Sequence, residues 1–230
     1  MCRVFLIWVA GFWLCSCAAA QGDEKGLLVR VKEKYDKVND YTAEGKLKTN
    51  VLFIKAPVAN VKVYYKKPDK LKIKNEKGVS FIPRGSVNIN MNNVLGLKNF
   101  QAIAAGTEKI SGTVCRVIRI FPLSEEENII RATLYIDEQK LLVRKSVIST
   151  KENGTYELLL NYQNYASYGL PDKVELTFNT RDYKLPKGIS IDYDNGTQKE
   201  KKETAGKKGK VEITYTGYVI NQGVPDVVFQ

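Results

Sequence analysis

The chain has no histidine, and that absence removes Ser-His-Asp and Cys-His nucleophilic schemes and histidine-ligated zinc together. Cysteine is nearly as scarce. Of 4 cysteines, Cys2, Cys15 and Cys17 lie close to the start, and only Cys115 follows, within Val114-Cys115-Arg116-Val117-Ile118. An intramolecular disulfide framework is therefore excluded, and Cys115 is expected to be a small buried core residue. Acidic residues are in deficit: Asp+Glu 25 against Lys+Arg 36 gives a net charge of +11. The apolar run Val4 to Leu14 falls short of the roughly 20 residues that span a bilayer as a helix.

That run is informative for another reason. Arg3 precedes it, and small residues at Ser16 and Ala18-Ala19-Ala20 follow it. Basic residue, apolar stretch and small-residue exit, in that order, make a secretory signal over residues 1–20. The remainder, 21–230, is long enough for one domain with a sizeable core. Leu14-Cys15-Ser16-Cys17 resembles a bacterial lipobox, which would lipidate Cys17 and anchor the protein to a membrane. Cleavage after Ala20 would instead release a soluble form. Either way the protein is expected to be exported, in the periplasm. A basic exported chain meets anionic headgroups or acidic partners before it meets nucleic acid.

After the signal, Leu27, Leu28, Val31, Tyr35 and Val38 recur every three to four residues, which predicts an amphipathic helix over Glu24 to Val38. From Tyr41 the period becomes two. Ala43, Gly45, Leu47, Thr49 and Val51 oppose Glu44, Lys46, Lys48 and Asn50; Val61, Val63 and Tyr65 alternate with lysines, as do Leu71 and Ile73. Such alternation marks antiparallel strands with one wet face. Further runs lie at Lys109 to Phe121, Ile129 to Ile136, Leu141 to Thr150, Thr155 to Tyr165, Lys173 to Asn179, Gly188 to Tyr193 and Lys210 to Ile220. Asp137-Glu138-Gln139, Asn153-Gly154 and Asn195-Gly196 supply turns between them. The expected fold is mainly β with some helix (α+β): an antiparallel, strongly curved sheet or incomplete β-barrel of about ten or eleven strands behind one leading helix.

Two segments break the rhythm. Asn88 to Gly106 is apolar without alternation, and Met91, Val94, Leu95, Leu97, Phe100 and Ile103 have rough helical spacing, which predicts a short helical lid. Thr197 to Gly209 is lysine-rich and predicts a solvated loop. A weak internal echo also occurs: the stretch from Asn161 through Tyr162, Tyr165 and Tyr168 to Gly169-Leu170-Pro171-Asp172 resembles the stretch from Thr214 through Tyr215 and Tyr218 to Gly223-Val224-Pro225-Asp226. Both pair an aromatic strand end with a Gly-apolar-Pro-Asp turn. Paired acids occur in Glu125-Glu126-Glu127 and Asp192/Asp194, yet nothing positions a nucleophile, a metal or a cofactor-binding glycine loop. No catalytic residue, metal ligand or cofactor is assigned.

With its export signal and amphipathic helix, the chain then shows Tyr41-Thr-Ala-Glu-Gly-Lys-Leu, Val63-Tyr64-Tyr65-Lys66-Lys67-Pro68-Asp69-Lys70-Leu71, Ala132-Thr-Leu-Tyr-Ile-Asp137, Arg144 to Ile148, and Gly169-Leu170-Pro171-Asp172. In this order it resembles the LolA-like family of periplasmic lipoprotein carriers, relatives of the LolB receptor and of RseB-type stress sensors. The resemblance covers roughly residues 24–190. It implies an incomplete β-barrel over helices, enclosing an apolar cavity for acyl chains. The cavity candidates are Leu47, Val51, Val63, Tyr65, Leu71, Ile73 and Phe178, under the lid residues above. The implied function is an envelope lipid-binding protein that carries or accepts lipoprotein acyl chains. The alternative is a sensor or scaffolding module that binds a membrane-protein partner, with Tyr162, Tyr165 and Tyr168 as exposed contact residues.

Overall fold

Asp23 starts the first helix by accepting a hydrogen bond from the Gly26 main-chain N–H at 2.7 Å, a side-chain N-cap. The computed structural model describes residues 23–51, 54–55, 58–75, 91–152, 154–179 and 208–230; the signal, the Asn195-Gly196 turn, the run 188–193 and most of the lysine-rich stretch lie outside them. The helix, α1 (Glu24–Tyr35), has Glu24 in its first turn and Lys32 and Lys34 in its last, matching the helix dipole. It buries Leu27, Leu28, Val31 and Tyr35. Helical bonding stops at Tyr35, three residues before the predicted end, but the following turn still buries Val38.

The strands are β1 (Asp40–Val51), β2 (Ile54–Lys55), β3 (Ala59–Lys66), β4 (Lys70–Asn75), β5 (Phe100–Ile110), β6 (Thr113–Pro122), β7 (Ile129–Asp137), β8 (Leu142–Thr150), β9 (Gly154–Asn161), β10 (Lys173–Asn179) and β11 (Lys208–Ile220). One sheet holds them all in the order β4-β3-β1-β11-β10-β9-β8-β7-β6-β5, with β2 on β1, and every pairing is antiparallel. Among the described residues β4 and β5 do not pair with each other, so the sheet is an open, incomplete barrel. Its inner face carries the alternating apolar residues: Ala43, Leu47, Val61, Val63, Leu134, Ile148, Leu158 and Leu176 are all buried in one cluster with α1. Each such side chain contributes about 1.5–3 kcal/mol by leaving water.

The segment predicted as a lid divides differently. Only Asn92–Leu95 is helical, a single turn here called α2, flanked by the buried Met91 and Leu97. Phe100 and Ile103 are not part of that turn. They lie in β5, which pairs with β6, and Ile103 is 44% exposed. The predicted single strand Lys109 to Phe121 is in fact the end of β5 and most of β6. Ser111 and Gly112, with φ of 46° and 87°, form the two-residue turn between the paired Ile110 and Thr113, the positive-φ geometry that tight hairpins need. Lys208 and Gly209, placed in the loop by composition, belong to β11.

At the β7–β8 turn the core admits charge. The Asp137 carboxylate accepts from the Arg144 guanidinium at 2.9 Å and from the Lys140 main-chain N–H at 3.1 Å. Both side chains of the ion pair are largely withdrawn from water. Two buried polar atoms nearby, Arg144 Nε and Ser146 Oγ, have no hydrogen-bond partner among the described residues. Cys115 is buried and free, as its apolar setting predicts.

Candidate functional site: a tyrosine-lined pocket

Where α1 ends against the sheet, the interior is not fully closed. A cavity of about 40 Å³ lies between Tyr35 and Val38 below, the inner faces of β1, β3 and β11 at Tyr41, Tyr65, Tyr215 and Tyr218, and the turn Tyr168-Gly169-Leu170-Pro171. Met91 and Asn92, at the start of α2, form another wall. Aromatic rings dominate the lining. Tyr41 stacks against Tyr65 at 5.2 Å between centroids and meets Tyr218 edge-on at 5.3 Å. Tyr218 also contacts Tyr215 at 5.0 Å and Tyr165 at 4.8 Å. Such pairs add about 0.5–1.5 kcal/mol each beyond the area they bury.

The hydroxyl groups fall into two sets. Tyr35 and Tyr162 share a hydrogen bond at 2.7 Å; the Tyr162 hydroxyl also lies 2.9 Å from the Val143 carbonyl, and the Val143 N–H donates to Tyr35 at 3.3 Å. Tyr218 donates to the Pro171 carbonyl at 2.6 Å, and the Asn92 amide donates to the Tyr65 hydroxyl. By contrast, Tyr41 and Tyr215 have no hydrogen-bond partner among the described residues. Burial keeps these phenols protonated: Tyr35 is pushed up to about 12, and Tyr41, Tyr162 and Tyr218 well above the usual tyrosine range.

Strict alternation would put Tyr215 and Tyr218, three residues apart, on opposite faces of β11. A bulge brings them together. Tyr215 pairs with Gly45 and Gly217 with Glu44, leaving Thr216 as the extra residue, whose hydroxyl donates to the Glu44 carbonyl at 3.1 Å. Gly45 is what permits the close approach: a Cβ there would stand 2.7 Å from the Thr214 carbonyl oxygen. Gly45→Ala is expected to cost about 1–3 kcal/mol as an overpacking change. Urea unfolding of the variant checks this, and parental stability would mean the strands lie further apart.

Gly169 has a φ of 69°, and a Cβ on it would meet the Tyr35 ring at 3.2 Å. This turn of the internal echo therefore needs glycine both for its backbone and for its contact with α1.

The residues proposed from the sequence are distributed as follows. Leu47, Val63, Tyr65 and Phe178 are buried on the inner face; Leu71 and Ile73 are half-buried against the same cluster. The backbone of Val51 pairs with Ile54 at the end of β1. Met91, Val94, Leu95 and Leu97 are buried over the sheet, whereas Phe100 and Ile103 sit on the edge strand. Of all these, Tyr65 and Met91 line the pocket. Tyr162 and Tyr165, expected on the surface, are half-buried and packed on the core, while Tyr168 stays exposed at the rim. The recurrence of tyrosine in both halves of the echo was the signal for the site. Glu125 and Glu126 form an exposed turn after β6, with Glu127 half-buried beside it, all apart from the pocket, and Asp192 and Asp194 lie outside the described residues. Among the described residues no group of three or more Cys, Asp or Glu could hold a metal ion.

An open antiparallel sheet, curved around one helix with a pocket at the helix end, defines a class of incomplete-barrel proteins. The fold is the LolA-like one. Solved structures that share it include a DUF1329 family protein from Desulfovibrio piger, at 14% identity and a TM-score of 0.56 over 89% of this chain and 95% of that one. An outer membrane lipoprotein-sorting protein domain from Vibrio parahaemolyticus matches at 8% identity and 0.54, covering 90% and 97%. A LolA superfamily protein from Nitrosomonas europaea matches at 10% and 0.52, with the same coverage. The likeness is one of fold. No family model and no curated protein matches the sequence.

Proposed function

We propose that the protein is an exported, non-catalytic lipid-binding protein of the cell envelope. It would take up acyl chains between the concave face of the sheet and the layer formed by α1 and α2. The observation that carries this reading is the thinness of that layer. An apolar inner face shared by ten strands in sequence is covered, among the described residues, by one 12-residue helix and one 4-residue turn. The pocket opens where the two covering elements meet.

The cavity of about 40 Å³ is well below the ~150 Å³ that accepts a benzene-sized guest. Acyl entry therefore requires the segment 91–97 to lift. Its hold is Met91, Val94, Leu95 and Leu97, together with the Asn92–Tyr65 hydrogen bond. Exposing four such side chains costs roughly 6–12 kcal/mol, and burying a chain of about 16 carbons returns roughly 12 kcal/mol, at about 0.8 kcal/mol per methylene. The near balance suits a protein that must load and release. The neutral hydroxyls of Tyr41 and Tyr215 would meet the polar end of such a ligand.

A fluorescent long-chain fatty acid titrated into the purified protein is expected to bind saturably at one site and to be displaced by unlabelled fatty acid. Leu95→Ala weakens the closed layer, and should therefore tighten binding by about tenfold by raising the binding-competent fraction. A dry core behaves differently: the variant loses stability and no saturable binding is seen with either protein, a result that overturns the reading.

A further inference from the structure

The outer face of the wing β4-β3-β1-β11 is a lysine field. β4 contributes Lys70, Lys72 and Lys74, whose partners across the ladder are Lys66, Tyr64 and Lys62 of β3. β1 adds Lys46 and Lys48, and β11 adds Lys208 and Lys210. All point away from the core, because the residues between them are the ones the sheet buries.

Compensation is uneven along this wing. Asp226 serves Lys66 and Lys70, Glu44 serves Lys62, and Glu175 serves Lys210. Lys46, Lys48, Lys74 and Lys208 have no carboxylate partner among the described residues. By register Lys74 is level, through Lys62, with Glu44 of β1, Lys46 and Lys48 follow along β1, and Lys208 lies two residues beyond Lys210 at the start of β11, so the four run across the outer face of the wing as a diagonal stripe. The excess positive charge is therefore local and not merely a property of the whole chain.

The residue type identifies the occupant. β1, β3, β4, β10 and β11 contain no arginine, whereas Arg116, Arg119, Arg131 and Arg144 lie on β6 to β8. Protein–protein interfaces favour arginine and are depleted of lysine. A hydrated, point-like ammonium suits diffuse attraction to a plane of charge, with no fixed fork geometry to satisfy. Tyr64 lies among these lysines on the outer face, with Lys74 Nζ 5.5 Å from its ring centroid, and tyrosine is a residue of the membrane–water boundary.

We infer that this lysine face docks the protein on anionic phospholipid headgroups, with Lys46, Lys48, Lys74 and Lys208 as the main contacts. Docking here is independent of acyl uptake, since the lysines alternate with the inward residues and take no part in the pocket.

The test uses the exported chain carrying Cys17→Ser, so that no covalent lipid contributes, in sedimentation with phosphatidylcholine vesicles with and without phosphatidylglycerol. Binding is expected only with phosphatidylglycerol present and should fall steeply with salt. Each lysine near the surface is worth about fivefold in partitioning, so Lys46→Glu/Lys48→Glu/Lys74→Glu should weaken binding by about a hundredfold or more. Lys109→Glu/Arg119→Glu/Arg131→Glu, the same charge change on the far wing, should change it by no more than about threefold. Equal losses in both triple variants, or equal binding to both vesicle types, overturn the inference. So does retention on an acidic polysaccharide with no vesicle binding, which would give the face another occupant. Circular dichroism of both variants, and their unchanged fatty-acid binding, separate this outcome from misfolding and from failure of the acyl reading.

Discussion

Raising the pH through the window from about 10 to 12 should unfold the protein in one steep transition, because its interior is built on phenols that cannot ionise in place. Burial pushes Tyr35 and Tyr156 up to about 12, and raises Tyr41, Tyr162, Tyr215 and Tyr218 as well. An unfolded tyrosine releases its proton near pH 10. Between those values the unfolded chain binds fewer protons than the folded one, so stability falls as pH rises; below about pH 10 both states are protonated and nothing is lost. At about 1.4 kcal/mol per pKa unit, Tyr35 and Tyr156 alone remove roughly 5 kcal/mol by pH 12. That equals the whole stability of many domains.

The measurement is circular dichroism beside tyrosinate absorbance, recorded together across the alkaline range. Both should change at the same pH, well above the point where a free tyrosine ionises. Tyr215→Phe sharpens the test. The hydroxyl of Tyr215 has no hydrogen-bond partner among the described residues, so the variant removes a titrating group without breaking a bond, and its midpoint should move up. Tyrosinate forming near pH 10 in a chain that stays folded would mean that the rings face water and that no closed aromatic pocket exists.

What the sequence made legible was the set of residues whose faces differ in polarity. In β1 and β3 every inward position is apolar or small and nearly every outward one is charged or polar, so the period of two announced strand and face at once. α1 was visible for the same reason, at a period near 3.6. β5 was not, because an edge strand with both faces partly wet is under no pressure to alternate: Ala102, Ile103, Ala104 and Ala105 carry no such pattern. A register shift between Ala104 and Thr107, with Gly106 at a φ of 82°, blurs it further. The pocket was hidden by the bulge at Thr216, which places Tyr215 and Tyr218 on one face against the parity of the strand. The general direction of Leu47 and Val63 could be deduced from local pattern, but which side chains meet at the end of α1 depends on register between strands far apart in the chain.

The ion pair at the β7–β8 turn leads to the second large effect. Asp137→Ala should cost about 3–5 kcal/mol, since it leaves the Arg144 guanidinium withdrawn from water with nothing to neutralise it. Arg144 Nε is already without a partner among the described residues, and the Lys140 N–H would lose its acceptor too. The residue sits at a shift in register: Tyr135 pairs with Lys145 and Ile136 with Val143, so Arg144 has no opposite number and turns inward to Asp137 and the Tyr162 ring, 5.6 Å from its centroid. Replacing both charges, as in Asp137→Leu/Arg144→Met, should recover most of the loss, because apolar groups of similar volume need no neutralising partner. Urea unfolding of the parent, the two single variants and the double variant gives the coupling directly. The same variants test whether this corner holds the pocket, for Val143, next to Arg144, bonds both Tyr35 and Tyr162. If it does, Asp137→Ala will weaken fatty-acid binding by more than its population of unfolded chain explains, and the double variant will restore it. A loss below about 1 kcal/mol would place the pair in solvent, where ion pairs contribute little, and would detach the turn from the site.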